Sequence, residues 1–247
     1  MPHLITENCS VFTSGMEKTR FAILFIGRQG SSYLQGLIDS HPDAKCEGEL
    51  FAPKVSRLRD MVKRRPIAFY NSRCKTVAEY LEQLTNSMPE TAVGFKIALG
   101  SIERHPNVIT SFSHLNYKII RLSRENMLDQ YISMIASANG KWTSEAGKFK
   151  VTKVKGDPKE SETYFHIWDA QNSALDRLAR GFPSIHITYE RIATDFPALL
   201  DFLELRPHVP ESRFKRQRVG GQRDSLVNYD EMKDYFAGSP RVVDFVE

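Results

Sequence analysis

Apolar positions along this chain fall into two rhythms. Phe21-Ala-Ile-Leu-Phe-Ile-Gly27 is an uncharged run, which suits a strand buried on both faces of a parallel sheet. The run breaks at Gly27-Arg28-Gln29-Gly30-Ser31-Ser32, and Tyr33, Leu34, Leu37 and Ile38 then repeat at helical spacing until His41-Pro42. Tyr117 to Leu122 predicts a second strand, followed by a helix that places Leu128, Tyr131, Ile132 and Ile135 toward a core and runs to about Ala138. Between them, Thr76-Val-Ala-Glu79 is a capping-box pattern continued by Val77, Tyr80, Leu81 and Leu84, and Val93 to Ile97 is a short strand. Farther on, Tyr164, Trp168, Leu175 and Leu178 mark a helix ending at Gly181. Ile185 to Tyr189 reads as a strand and Phe196 to Leu205 as a helix. Asn228 and Glu231 open a last helix through Met232, Tyr235 and Phe236 to Gly238. Strands alternating with helices predict an α/β fold, a central parallel sheet flanked by helices on both faces.

The polar intervals complete the layout. Ala52 to Arg73 is rich in Lys and Arg without a clear period and reads as a surface excursion. Gly140 to Glu162 turns polar and reads as a mobile loop or lid. Residues 1–19 read as a flexible N-terminal segment. With 247 residues and 41% hydrophobic content, one substantial core and a single domain over 1–247 are expected. No apolar segment approaches the roughly 20 residues that span a bilayer, and Met1 to Arg20 lacks the regions of a signal peptide, which predicts a cytoplasmic protein. Cys9, Cys46 and Cys74 have no metal-ligand spacing, so reduced thiols and no metal are expected.

The break at Gly27 to Ser32 carries the first candidate chemistry. Glycines allow close backbone approach, and the unpaired amides of a helix start favour an anion. A Walker loop counted from Gly27 would need Gly and Lys where Ser32 and Tyr33 stand, and a dinucleotide fingerprint needs a third glycine beyond Gly27 and Gly30. What remains is a short loop with its own cation, Arg28, whose planar fork suits a phosphate or sulfate oxygen pair. An ordinary strand-to-helix turn with a solvated Arg is the other reading.

Arg28-Gln-Gly-Ser-Ser-Tyr-Leu, followed by Asp39-Ser-His-Pro-Asp43, resembles the start of sulfotransferases that use 3′-phosphoadenosine 5′-phosphosulfate (PAPS), in particular the bacterial and carbohydrate-type branch. The resemblance implies a P-loop-like sulfotransferase fold in which Arg28, Gln29, Gly30, Ser31, Ser32 and Tyr33 hold the 5′-phosphosulfate. It implies a second strand-loop-helix element for the 3′-phosphate, and Tyr117 to Ser133 supplies one, with Arg124 and Ser133 in the binding roles. Arg124 and Ser133 lie nine positions apart where the family has eight, which keeps Arg121 open as the alternative cation.

The same resemblance implies an in-line sulfuryl transfer to a hydroxyl, with adenosine 3′,5′-bisphosphate as product and no metal. Cations must offset the charge growing on the leaving phosphate, and Arg28 and Lys96 are the candidates. An edge-strand Lys reaching solvent is the other reading of Lys96. For the base, the family has an acidic residue shortly after its His-Pro-Asp turn. Glu49, within Glu47-Gly-Glu-Leu-Phe51, is the choice, with Glu47 and His41 as rivals. Glu47 and Glu49 are two apart, so an extended segment would turn them to the same side. Tyr189 matches a Tyr-Glu pair whose Tyr lies near the adenine, and Arg218 falls in a basic, glycine-containing loop that closes over the cofactor.

The expected acceptor is a glycan or small hydroxylated natural product, with no nucleic acid as partner. Two other function classes are compatible with parts of the chain. A nucleotide kinase or NTPase would use the first loop for a triphosphate, but the Walker Lys is missing. A nucleic-acid-binding module would use Lys54 to Arg73 and Arg213 to Arg223, which lack interleaved aromatic platforms.

Overall fold

The computed structural model describes residues 18–52, 54–58, 61–65, 69, 72–138, 153–211 and 220–246. Its elements are β1 (Thr19–Phe25), α1 (Ser31–Ile38), β2 (Ala44–Glu49), β3 (Lys54–Leu58), β4 (Met61–Arg65), α2 (Val77–Asn86), β5 (Ala92–Ala98), α3 (Leu99–Arg104), α4 (Asn107–His114), β6 (Lys118–Ser123), α5 (Met127–Ala136), α6 (Pro158–Ala179), β7 (Ser184–Thr188), α7 (Ile192–Phe202), α8 (Gln222–Ser225) and α9 (Tyr229–Tyr235). Five strands form one sheet in the order β2-β5-β1-β6-β7, and every pairing in it is parallel. The expected architecture, a parallel sheet with helices on both faces, is borne out.

Alternation along β1 divides the core. Phe21, Ile23 and Phe25 pack with Leu34, Leu37 and Ile38 of α1 and Ile192, Phe196 and Leu199 of α7. Ala22, Leu24 and Ile26 turn the other way, into a cluster with Phe112 of α4, Leu128 and Tyr131 of α5 and Phe165 of α6. That period of two, with apolar residues on both faces, is why the run carries no charge.

The strand order makes a crevice where a ligand is expected. Between the adjacent strands β1 and β6 the chain leaves in opposite senses, α1 covering one face and α5 the other. Loops at such a switch point splay apart at the carboxyl edge of the sheet. The loop after β1 holds Arg28, and the loop after β6 holds Arg124.

Some segments differ from the sequence reading. Ala52 to Arg73 contains an antiparallel hairpin, β3 paired with β4. Of the stretch read as a lid, residues 140–152 lie outside the described residues. The rest is regular: Val154 bridges to Leu226, and α6 begins at Pro158, capped by the Asp157 side chain accepting from Glu160 N at 2.9 Å. The polar composition there belongs to an exposed helix start, with Pro at the first helical position. Residues 1–17 of the expected flexible N-terminal segment also lie outside the described residues.

Candidate active site

The loop from Ile26 to Gly30 is held in a conformation that side chains seldom adopt. Arg28 has φ 70° and Gly30 has φ 86°. A left-handed Arg costs free energy and persists only when its surroundings over-determine it. Here they do. Gln29 Oε1 accepts from Ile26 N at 2.8 Å, Gln130 Nε2 of α5 donates to Gly27 O at 2.8 Å, and Arg124 Nη1 donates to Arg28 O at 3.5 Å. Gly30 is required for a second reason: a Cβ there would lie 2.3 Å from Cδ2 of Tyr189.

The loop is shaped so that Arg28 reaches across the crevice. Its Nε and Nη2 both donate to Ser133 Oγ of α5, at 3.0 and 2.9 Å. Burial, and then the neighbouring Arg124 cation, hold the Arg28 guanidinium below its ordinary value. Two cations held this close gain from an anion between them. Arg124 donates from Nη2 to Asp129 Oδ2 at 3.1 Å and lies over the Tyr189 ring at 4.6 Å. Its Nε is buried without a hydrogen-bond acceptor, although Glu190 Oε1 stands 3.8 Å away. Tyr33 completes the cluster, edge-on to Tyr189 with ring centroids 6.3 Å apart.

Lys96 belongs to the same edge. β5 is an interior strand between β2 and β1, so the edge-strand reading of this Lys fails: the residue is 6% exposed and its Nζ donates to Ser32 Oγ at 2.8 Å. Burial lowers its pKa, and Glu49 opposes that fall. Glu49 Oε1 lies 4.0 Å from Nζ.

The shared face expected for Glu47 and Glu49 is corrected by a bulge. The β2–β5 register shifts between them, so Glu47 sits opposite Phe95 and Glu49 opposite Lys96, the next residue along. Consecutive positions on β5 face opposite sides. The extra residue, Gly48, therefore turns Glu49 to the Lys96 side, while the charge of Glu47 acts on Tyr80 of α2.

Other sequence candidates are placed elsewhere. His41 is buried, with Asp43 N donating to its Nδ1 at 3.0 Å and its Nε2 3.1 Å from Arg206 O, so one nitrogen serves the turn after α1 and the other ties that turn to the segment after α7. Arg121 is buried and paired with α6, its Nε donating to Asp176 Oδ1 at 2.8 Å and its Nη2 to Asn172 Oδ1 at 2.6 Å. Gln29 needs correction as a ligand-binding side chain. It is fully buried and its Nε2 donates inward to Asn172 Oδ1 at 3.0 Å, because the positive φ of Arg28 and Gly30 on either side turns it under the loop. Arg218 lies outside the described residues.

Several polar residues around the site escape sequence reasoning: the buried Gln130, Asp129 and Gln222, and the half-buried Asn172. Gln222 Nε2 donates to Asp129 Oδ1 at 3.0 Å and so backs the carboxylate that holds Arg124. The one signal available was Gln130 itself, an amide within the apolar stretch of α5. Among the described residues, no three His, Cys, Asp or Glu side chains form a group that could hold a metal ion, and no helix is long and apolar enough to cross a membrane.

Comparison with known proteins agrees with this fold. No protein-family model matches the chain. A sulfotransferase from Alicyclobacillus acidocaldarius superimposes with a TM-score of 0.50, covering 93% of this chain and 95% of that one at 17% identity. The chain has the fold of that sulfotransferase. Nodulation protein H of Rhizobium tropici is 25% identical over 229 residues, covering 89% of this chain and 90% of the relative. Nodulation protein H of Rhizobium meliloti (strain 1021) is 25% identical over 246 residues, covering 89% and 92%. The expected likeness to sulfotransferases is borne out at the level of the fold.

Proposed function

We propose that this single-domain chain moves a sulfuryl group from PAPS to a hydroxyl of a polar acceptor, a glycan or a small hydroxylated natural product. The observation that carries the reading is the meeting of two cationic elements across the β1/β6 crevice, Arg28 on Ser133 and Arg124 on the carbonyl of Arg28. The buried, unaccepted Nε of Arg124 fits an anionic ligand, as do the first amides of α1, which a helix leaves without partners.

PAPS supplies an activated sulfuryl group on a phosphate leaving group. Arg124 and Ser133 grip the 3′-phosphate and set the register of the nucleotide. Tyr189, in contact with Gly30 and with the Arg124 guanidinium over its ring, lies near the adenine. Glu49 takes the proton from the acceptor hydroxyl, and its position at the carboxyl edge of β2 leaves it exposed to an incoming acceptor. Arg28 and Lys96 offset the negative charge that grows on the bridging oxygen as the sulfur–oxygen bond breaks.

Thermal-shift measurements with adenosine 3′,5′-bisphosphate and with ATP test the reading. A ligand at 100 times its dissociation constant stabilises by about 2.7 kcal/mol. The bisphosphate is expected to raise the melting temperature more than ATP does. A preference for ATP, or no response to either, would overturn the proposal.

A further inference from the structure

Behind the anion loop lies a polar brace, with Gln29 and Arg121 buried and Asn172 half-buried, that touches none of the reacting groups. Asn172, in the middle of α6, accepts two hydrogen bonds on one oxygen: from Gln29 Nε2 at 3.0 Å and from Arg121 Nη2 at 2.6 Å. Arg121, 2% exposed, is fixed in turn by Asp176 one helical turn farther along α6. Gln29 has its other end on the loop, where Oε1 takes the amide of Ile26. The chain of contacts thus runs from α6, through Asn172 and Gln29, to the residue where β1 ends and the loop begins.

We propose that Asn172 is a positioning residue for the anion loop, acting through Gln29 and anchored by Arg121. The left-handed Arg28 needs an external constraint. Gln29 alone is a poor constraint, because an amide side chain with one end free would reorient. With Nε2 captured by Asn172, its Oε1 has one place to point. The orientation of the amide is fixed by this network: Oε1 must face the Ile26 N–H, because only Nε2 can donate to an acceptor oxygen. Asn172 itself is held with its oxygen inward by the Arg121 cation, which rejects the flipped amide. Arg28 then reaches Ser133 and the α1 amides stand preformed, so the anion meets donors already in place.

This inference deepens the sulfotransferase reading and rests on it for the ligand, but its structural part is read without any ligand. Asn172→Ala removes the shared acceptor, and Asn172→Asp keeps an oxygen for both donors. In unliganded protein the Ile26 amide of Asn172→Ala is expected to exchange with deuterium about tenfold faster than in wild type, and that of Asn172→Asp near the wild-type rate. Titration calorimetry with adenosine 3′,5′-bisphosphate and with inorganic pyrophosphate is expected to give affinities about tenfold weaker for Asn172→Ala, the equivalent of one lost 1.4 kcal/mol of organisation, and restored in Asn172→Asp. A lower melting temperature in Asn172→Ala with unchanged Ile26 exchange and unchanged affinity would reduce Asn172 to a structural residue and overturn the inference. Faster exchange in Asn172→Ala, with wild-type protein binding neither anion, would confirm the brace while removing the functional reading on which its purpose rests.

Discussion

Glu49 and Lys96 face each other at the carboxyl edge of the sheet, Oε1 and Nζ 4.0 Å apart, because one extra residue at Gly48 offsets β2 from β5. The pair joins the proposed base to a proposed charge-offsetting cation. Glu49→Gln preserves shape and removes proton acceptance. Turnover is expected to fall about 10²- to 10⁴-fold, the usual contribution of a general base, with affinity for adenosine 3′,5′-bisphosphate retained. Steady-state kinetics and calorimetry check both halves, and a variant that kept most of its turnover would remove Glu49 from the role.

Lys96 gives a prediction in pH. Burial places its folded pKa below the ordinary lysine value, with Glu49 partly opposing. Between the lowered folded pKa and the unfolded one, the unfolded chain binds more protons, so stability rises with pH across that alkaline window. Lys96→Met abolishes this contribution. Urea melts of both proteins at neutral and alkaline pH are expected to show the stability difference shifting toward wild type as pH rises, and a difference independent of pH would contradict the assigned burial effect. The same variant loses turnover at every pH.

Gly30 and Tyr189 couple through space and through backbone. Gly30→Ala must accept φ 86° and a Cβ at 2.3 Å from the Tyr189 ring. The backbone part alone costs on the order of 1–3 kcal/mol. Tyr189→Ala in the same chain relieves the collision and leaves the backbone strain. The double variant is therefore expected to be less destabilised than the sum of the singles, and strict additivity in a chemical-denaturation cycle would dismiss the contact.

Arg124 and Arg121 separate by readout. Arg124→Ala is expected to erode the preference for adenosine 3′,5′-bisphosphate over 5′-AMP, since its guanidinium is the one assigned to the 3′-phosphate. Arg121→Ala removes the hydrogen bonds to Asn172 and Asp176, with an expected stability loss of about 1–3 kcal/mol and the preference intact. Competition binding with the two nucleotides decides, and loss of preference in Arg121→Ala would exchange the assignments.

The parts of this fold that were legible in the sequence are those where one physical signal dominates. Phe21 to Gly27 has no charge because β1 is covered on both faces, and the Thr76 cap forms as read, its Oγ1 accepting from Glu79 N at 3.1 Å. β2 was hidden because Lys45, Glu47 and Glu49 mark an edge strand whose apolar content is small. The location of Lys96 depends on strand order, which no local pattern encodes: only the insertion of β5 between β2 and β1 makes that Lys an interior residue. Gln29 looked like a ligand-facing loop residue, since a sequence of Arg, Gln and Gly does not announce which φ values are positive. Sequence pattern places Arg28 and Ser133 in one site but not in direct contact, because their hydrogen bonds depend on how α5 packs against the loop after β1.

Arg28 and Arg124 meet through β1 and β6, strands that pair although nearly a hundred residues separate them along the chain. Contacts of such long range are slow to form because the intervening chain must first be ordered. The proposed binding site therefore comes into being only with the assembled sheet, and neither half of the chain carries it alone. A bound anion would consequently act as a kinetic clamp on the finished fold: it slows the departure of β6 from β1 and leaves the rate of their first encounter unchanged.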